Sequence, residues 1–178
     1  MSNRLVNELI NNLQPKSLVV DLGAGDGRWS RVLQAAGHKV IAVDKQTKPT
    51  DVIVDWQVSS AQNWVTDLKN NFRADGWLIK NLLQFIEKDY VLQELLPKIA
   101  NHTPAEGVVA IETFYQPPNP PFAKPHKYYY SLSDLEAIFG GWKLILAEEV
   151  VELGPDLSGH PREFCLTRLV VKKAIQKV

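Results

Sequence analysis

The sequence predicts an α/β fold: an open, mostly parallel sheet covered by helices on both faces and closed by an antiparallel hairpin. Three observations carry that expectation. Short apolar runs alternate with segments of helical periodicity. The glycine cluster Gly23-Ala24-Gly25-Asp26-Gly27 follows the first apolar run, and no helical pattern separates the last two runs. With 178 residues, 45% of them apolar and 22% charged, the chain is expected to form one domain over residues 1–178 around one core.

Leu5, Val6, Leu9, Ile10 and Leu13 recur at helical spacing before Pro15, so residues 3–13 read as an amphipathic helix. Residues 17–22 form a buried strand that ends on Asp21-Leu22 and runs into the glycine turn. Trp29, Val32, Leu33 and Ala36 then mark a helix capped by Gly37, and residues 40–44 form a second strand ending at Asp44. Residues 51–55 read as a third strand, followed by a helix through Ala61, Trp64, Val65, Leu68 and Phe72 that Ser59 or Ser60 caps. Residues 76–83 and 107–114 supply strands four and five, around a helix through Val91, Leu95 and Ile99 that kinks or ends near Pro97. Ser133-Asp134-Leu135-Glu136 reads as a capping box opening a short helix before Gly140-Gly141. Residues 142–153 and 164–172 then pair antiparallel as the closing hairpin, for seven strands in all.

Twenty Lys and Arg balance twenty Asp and Glu, which argues against a nucleic-acid binder with a broad basic face. Cys165 is the only cysteine, which excludes an internal disulfide and a multi-cysteine zinc site. His38, His102, His126 and His160 lack ligand-pair spacing, so no metal is expected. With no apolar run of about 18 residues to span a bilayer, and no signal-peptide core at the N-terminus, the expectation is a cytoplasmic protein without membrane association.

A strand that ends in a glycine turn lets a ligand approach the backbone, and the next helix presents free N–H groups to it. A dinucleotide fingerprint places its third glycine at position 28, where this chain has Arg28. The pattern is instead Asp21-x-Gly23-x-Gly25-x-Gly27, which counts against a nicotinamide-dependent oxidoreductase.

The run Val19-Val20-Asp21-Leu22-Gly23-Ala24-Gly25-Asp26-Gly27 resembles motif I of the class I S-adenosylmethionine-dependent methyltransferases, and the ordered resemblance covers residues 15–115. It implies a three-layer Rossmann-like methyltransferase fold with S-adenosylmethionine across the carboxyl edge of the sheet. The cofactor contacts it implies are Asp21, Gly23, Ala24, Gly25, Gly27, Asp44, Lys45, Asp55, Trp56 and Lys80. Asp44 meets the ribose hydroxyls and Asp55, at the end of the third strand, the adenine amino group. Trp56 is read either as packing on the adenine ring or as core. Lys80-Asn81 lie where the fourth strand opens onto the transfer site. A short chain with a closing hairpin is similar to the small tellurite-resistance type of methyltransferase.

No catalytic set is legible. Lys80, Tyr128 and His126, the last as a proton-removing base, are the candidates. The acceptor implied is a small molecule, since the charge is balanced and the cover is one aromatic and proline-rich loop over residues 116–130. Asn119-Pro120-Pro121-Phe122 resembles the motif of amino-group methyltransferases but falls after the fifth strand instead of the fourth. The link at residues 45–50 is too short for a crossover helix. A similarly short link occurs in heat-shock-type ribosomal-RNA ribose methyltransferases, whose Lys-Asp-Lys-Glu set is not recognisable here. A non-catalytic partner module that keeps the cofactor fold stays as the competing class.

Overall fold

The computed structural model describes residues 4–116, 127–155 and 159–175. Seven strands form one sheet in the order β3-β2-β1-β4-β5-β7-β6. β1 (Leu18–Leu22), β2 (Lys39–Asp44), β3 (Asp55–Val58), β4 (Gly76–Lys80) and β5 (Val108–Phe114) run parallel. β6 (Lys143–Pro155) and β7 (Pro161–Lys172) form the antiparallel hairpin, and β7 pairs with β5. The α/β architecture and its closing hairpin are thus as the residue pattern implies.

Period-two alternation sends side chains to two cores, one on each face. Val19, Val40, Leu78, Val108, Ala110, Leu146 and Val170 pack with Leu5, Val6 and Leu9 of α1 (Arg4–Asn12) and Leu33 of α2 (Arg28–Ala35). Val20, Leu22, Trp77, Ile79, Val109, Ile111, Leu169 and Val171 face the other way, toward α3 (Ala61–Thr66), α4 (Lys88–Tyr90), α5 (Leu96–Asn101) and α6 (Leu132–Glu136). Trp64, Phe72 and Trp77 meet edge to face there, with centroids 5.7 to 6.3 Å apart.

The helical stretch around Pro97 is not broken. A π-helical turn, Val91–Leu95, joins α4 to α5, and Pro97 enters at the first turn of α5, where its missing N–H costs least. The capping box belongs to Ser131 and Asp134, two residues before the box expected at Ser133; each side chain accepts from the other's backbone N–H, and α6 begins at Leu132. β4 stops at Lys80 instead of running on, because Asn81 turns the chain with φ of +55°. The third strand is displaced more. Its pairing with β2 begins at Asp55, where the expected strand over 51–55 ends, because Val52 turns inward and is 1% exposed while Ile53 is 79% exposed. The link over 45–54 contains no helix, in line with its short length.

Candidate functional site

The glycine turn lies at the carboxyl end of β1, between β2 and β4. Each of its three glycines has positive φ, but for different reasons. A Cβ on Gly23 would fall 2.9 Å from the Leu82 side chain, and one on Gly27, the residue that caps α2, would fall 2.6 Å from Val52 Cγ2. These two are packed against neighbouring segments. A Cβ on Gly25 would meet nothing within 4 Å, so Gly25 presents bare backbone to open space. Its N–H donates to Asp44 Oδ2 at 2.8 Å, and Asp44 Oδ1 accepts from Gln46 N at 2.9 Å. The Asp44 carboxylate thereby fixes the tip of the turn, and Lys45 beside it is exposed.

Behind the turn, Asp21 is 2% exposed and accepts a 2.5 Å hydrogen bond from Ser30 Oγ, which ties β1 to α2. Burial pushes its pKa up to about 6, against the Ser30 hydrogen bond that lowers it. Trp56 is half-buried, stands against the Gly27 end of the turn and donates from Nε1 to Gln46 O at 3.2 Å.

The other half of the edge carries charge inside the sheet. Lys80 on β4, Glu112 on β5, Arg168 on β7 and Glu148 on β6 lie in one register row across four neighbouring strands. Glu112 pairs with Lys80 and accepts from Arg168 Nε at 2.7 Å. Arg168 Nη1 donates to Glu152 at 2.8 Å and Glu148 at 3.3 Å, and Arg4 of α1 donates to Glu148 at 2.6 Å. Burial, then the Arg168 guanidinium, lowers the Lys80 pKa to about 8. Burial also opposes the Arg168 charge, but Glu152 and Glu148 outweigh it and hold that pKa above its usual value. The Lys80 ammonium lies 5.6 Å from the Trp29 ring centroid.

A family model described as "Tellurite resistance protein TehB" matches residues 3–156. The chain belongs to the TehB family. No curated protein matches it. TehB from Haemophilus influenzae has the same fold, with a TM-score of 0.80 at 16% identity over 97% of this chain and 62% of that one. This chain therefore spans less than two thirds of that protein. A 1,6-didemethyltoxoflavin-N1-methyltransferase from Burkholderia thailandensis, solved with S-adenosylhomocysteine, gives 0.71 at 19% identity over 97% of this chain and 77% of that one. A SAM-dependent methyltransferase from Archaeoglobus fulgidus gives 0.70 at 17% identity, over 97% and 95%. The fold is thus that of the S-adenosylmethionine-dependent methyltransferases, as motif I implies.

In this TehB-family chain Asp21, Gly23, Ala24, Gly25, Gly27 and Asp44 converge at one turn, and Lys45 borders it. Asp55 does not join them. It pairs opposite Ile41 at the start of β3, three residues short of the carboxyl edge, which corrects its expected place at the strand's end. The position beside Asp44 falls to Val58 and Ser59, whose N–H donates to Asp44 O at 2.9 Å, followed by Ser60, the N-cap of α3. Only the Ser60 cap was legible there; neighbourhood to Asp44 depends on strand register. Lys80 ends β4, but its ammonium is engaged by Glu112 inside the sheet, 4% exposed, instead of facing a ligand. Tyr128 packs half-buried on the core, its N–H donating to Gln84 O at 3.3 Å. His126 and Asn119-Pro120-Pro121-Phe122 lie outside the described residues. The sequence gives no sign that Glu112, Glu148 and Arg168 share a site, since only pairing across strands brings them together.

Among the described residues, no helix is long and apolar enough to cross a membrane.

Proposed function

We propose that the chain transfers the methyl group of S-adenosylmethionine to a small-molecule acceptor. The observation that carries this reading is the open cradle at Gly25, held by Asp44 at the carboxyl end of β2. The residues present fit the cofactor. The bare backbone of Gly25 admits a close approach, Asp44 supplies carboxylate oxygens for ribose hydroxyls, and Ser59 and Ser60 border the place of the base. Trp56 stands behind the turn as a brace against Gly27, which makes its role one of positioning the loop.

When bound, the cofactor supplies a methyl group already activated on a sulfonium. The protein's part is to align the nucleophile and exclude water, so proximity and orientation suffice for much of the rate. Asp21 and Ser30 hold β1 and α2 in fixed relation on either side of the turn.

The test is calorimetric titration with S-adenosylmethionine, S-adenosylhomocysteine and NAD, on the natural chain and on Asp44→Ala. The expected result is binding of both adenosyl ligands, weakened at least tenfold by Asp44→Ala, and no binding of NAD. Binding of NAD, or of none of the three, overturns the reading.

A further inference from the structure

Arg28, the first residue of α2, is exposed, and its guanidinium carbon lies 4.9 Å from the centroid of the Trp29 ring. The Lys80 ammonium approaches the same ring at 5.6 Å. One indole thus gathers two cations. Their charges are answered differently. Lys80, Arg168 and Arg4 are matched by Glu112, Glu148 and Glu152, and Arg31, three residues further along α2, pairs with Asp51. Arg28 has no carboxylate on its guanidinium among the described residues. The first turn of α2 holds no acidic residue, and Asp26 Oδ1 is taken up by the Arg28 backbone N–H at 3.0 Å.

The glycine turn reaches from β2 to β4, the two neighbours of β1 in the sheet. Gly25 N–H meets Asp44 on the β2 side, and Gly23 packs against Leu82, two residues past the end of β4, on the other. Arg28 belongs to the β4 side, because the ring that carries it also carries Lys80. With the ribose on Asp44 and the base beside Val58 and Ser59, the rest of the cofactor has the turn to follow toward β4. In S-adenosylmethionine that remainder is an amino acid, and its carboxylate is the cofactor's one anionic group. Lys80 is 4% exposed and engaged by Glu112, and Lys45 stands beside Asp44 at the other end. A guanidinium resting on an indole keeps the N–H groups at its edge for a carboxylate, which it matches in shape as well as charge.

We infer that Arg28 holds the carboxylate of the cofactor's amino-acid end, and so selects adenosyl ligands that carry it. Trp29 is a positioning residue in this arrangement, since its ring keeps the guanidinium on the β4 side of the turn. The inference rests on the methyltransferase reading above and adds the group that distinguishes the whole cofactor from adenosine alone.

The test is calorimetric titration with S-adenosylhomocysteine and with its decarboxylated counterpart, which lacks only the carboxylate, on the natural chain, Arg28→Gln and Arg28→Lys. A charge-assisted hydrogen bond to the carboxylate sets the expected gap: the natural chain binds the complete ligand about tenfold tighter or more. Arg28→Gln should lose that factor for S-adenosylhomocysteine and less than twofold for the decarboxylated ligand, whose unchanged affinity shows that the variant keeps its fold and its adenosine site. Arg28→Lys should restore part of the gap. No gap in the natural chain, a gap that survives Arg28→Gln, or an equal loss of both ligands overturns the inference and leaves the methyltransferase reading standing. Binding of neither ligand by the natural chain overturns that reading and this inference with it.

Discussion

Along the carboxyl edge, the glycine-turn half is tied by hydrogen bonds between residues 9 and 19 positions apart, Ser30 to Asp21 and Gly25 to Asp44. The ionic half joins residues 32 and 56 apart, Lys80 and Arg168 to Glu112. The first half holds backbone in left-handed conformations that leave space for a ligand, and the second fills its space with matched charge. Affinity for a ligand should therefore be sensitive to the first, and stability to the second.

The largest expected effect tests the ionic half. Glu112→Ala leaves Lys80 and Arg168 buried without their shared carboxylate, and should cost about 3–5 kcal/mol in urea unfolding. A cost under about 1 kcal/mol would mean that the row carries little of the stability and would erase the contrast.

Asp21 gives the glycine half its own signature in pH. Its folded pKa, about 6, lies above the unfolded 3.8, so the native state keeps a proton that the unfolded state has released. The resulting stability is present below pH 3.8 and is lost as pH rises through 6, by about 3 kcal/mol in full. The stability difference between the natural chain and Asp21→Asn, followed by urea unfolding from pH 3.5 to 7, should decline across that window; a flat difference would place the carboxyl in water.

Within the turn the contrast sharpens to single glycines. Gly27→Ala should destabilise by about 1–3 kcal/mol, because the new methyl meets Val52 at a strained φ. Gly25→Ala should cost about 1–2 kcal/mol from φ alone and weaken S-adenosylhomocysteine at least tenfold in calorimetry. Equal affinity losses in the two variants would remove the special standing of Gly25. The smallest effect belongs to the fringe: Ser60→Ala, which deletes the acceptor for Asn63 N, should lower the unfolding free energy by about 1 kcal/mol.

The same contrast accounts for what could be read in advance. Asp21, Gly23, Gly25, Gly27 and Asp44 leave a compositional mark because a tight turn restricts which residues fit it, and their partners are near in sequence. Lys80 is visible in place but not in role, since Glu112 enters only through the pairing of β4 with β5. Asp55 is misplaced for a related reason. The β-branched run Val52-Ile53-Val54 has strand composition, yet Val52 is spent on packing beneath Gly27, and the pairing starts where the apolar run stops.

β3 has only four register pairs, borders β2 alone and enters through a helix-free link. In kinetic terms it is the hem of the sheet, which opens at a small fraction of the global unfolding free energy. Amide protons of Gln57 and Val58 should exchange with solvent orders of magnitude faster than those of Val20 or Ile111. A ligand seated beside Asp44 would slow that exchange, so the rate at which deuterium enters β3 becomes a clock for residence on the site.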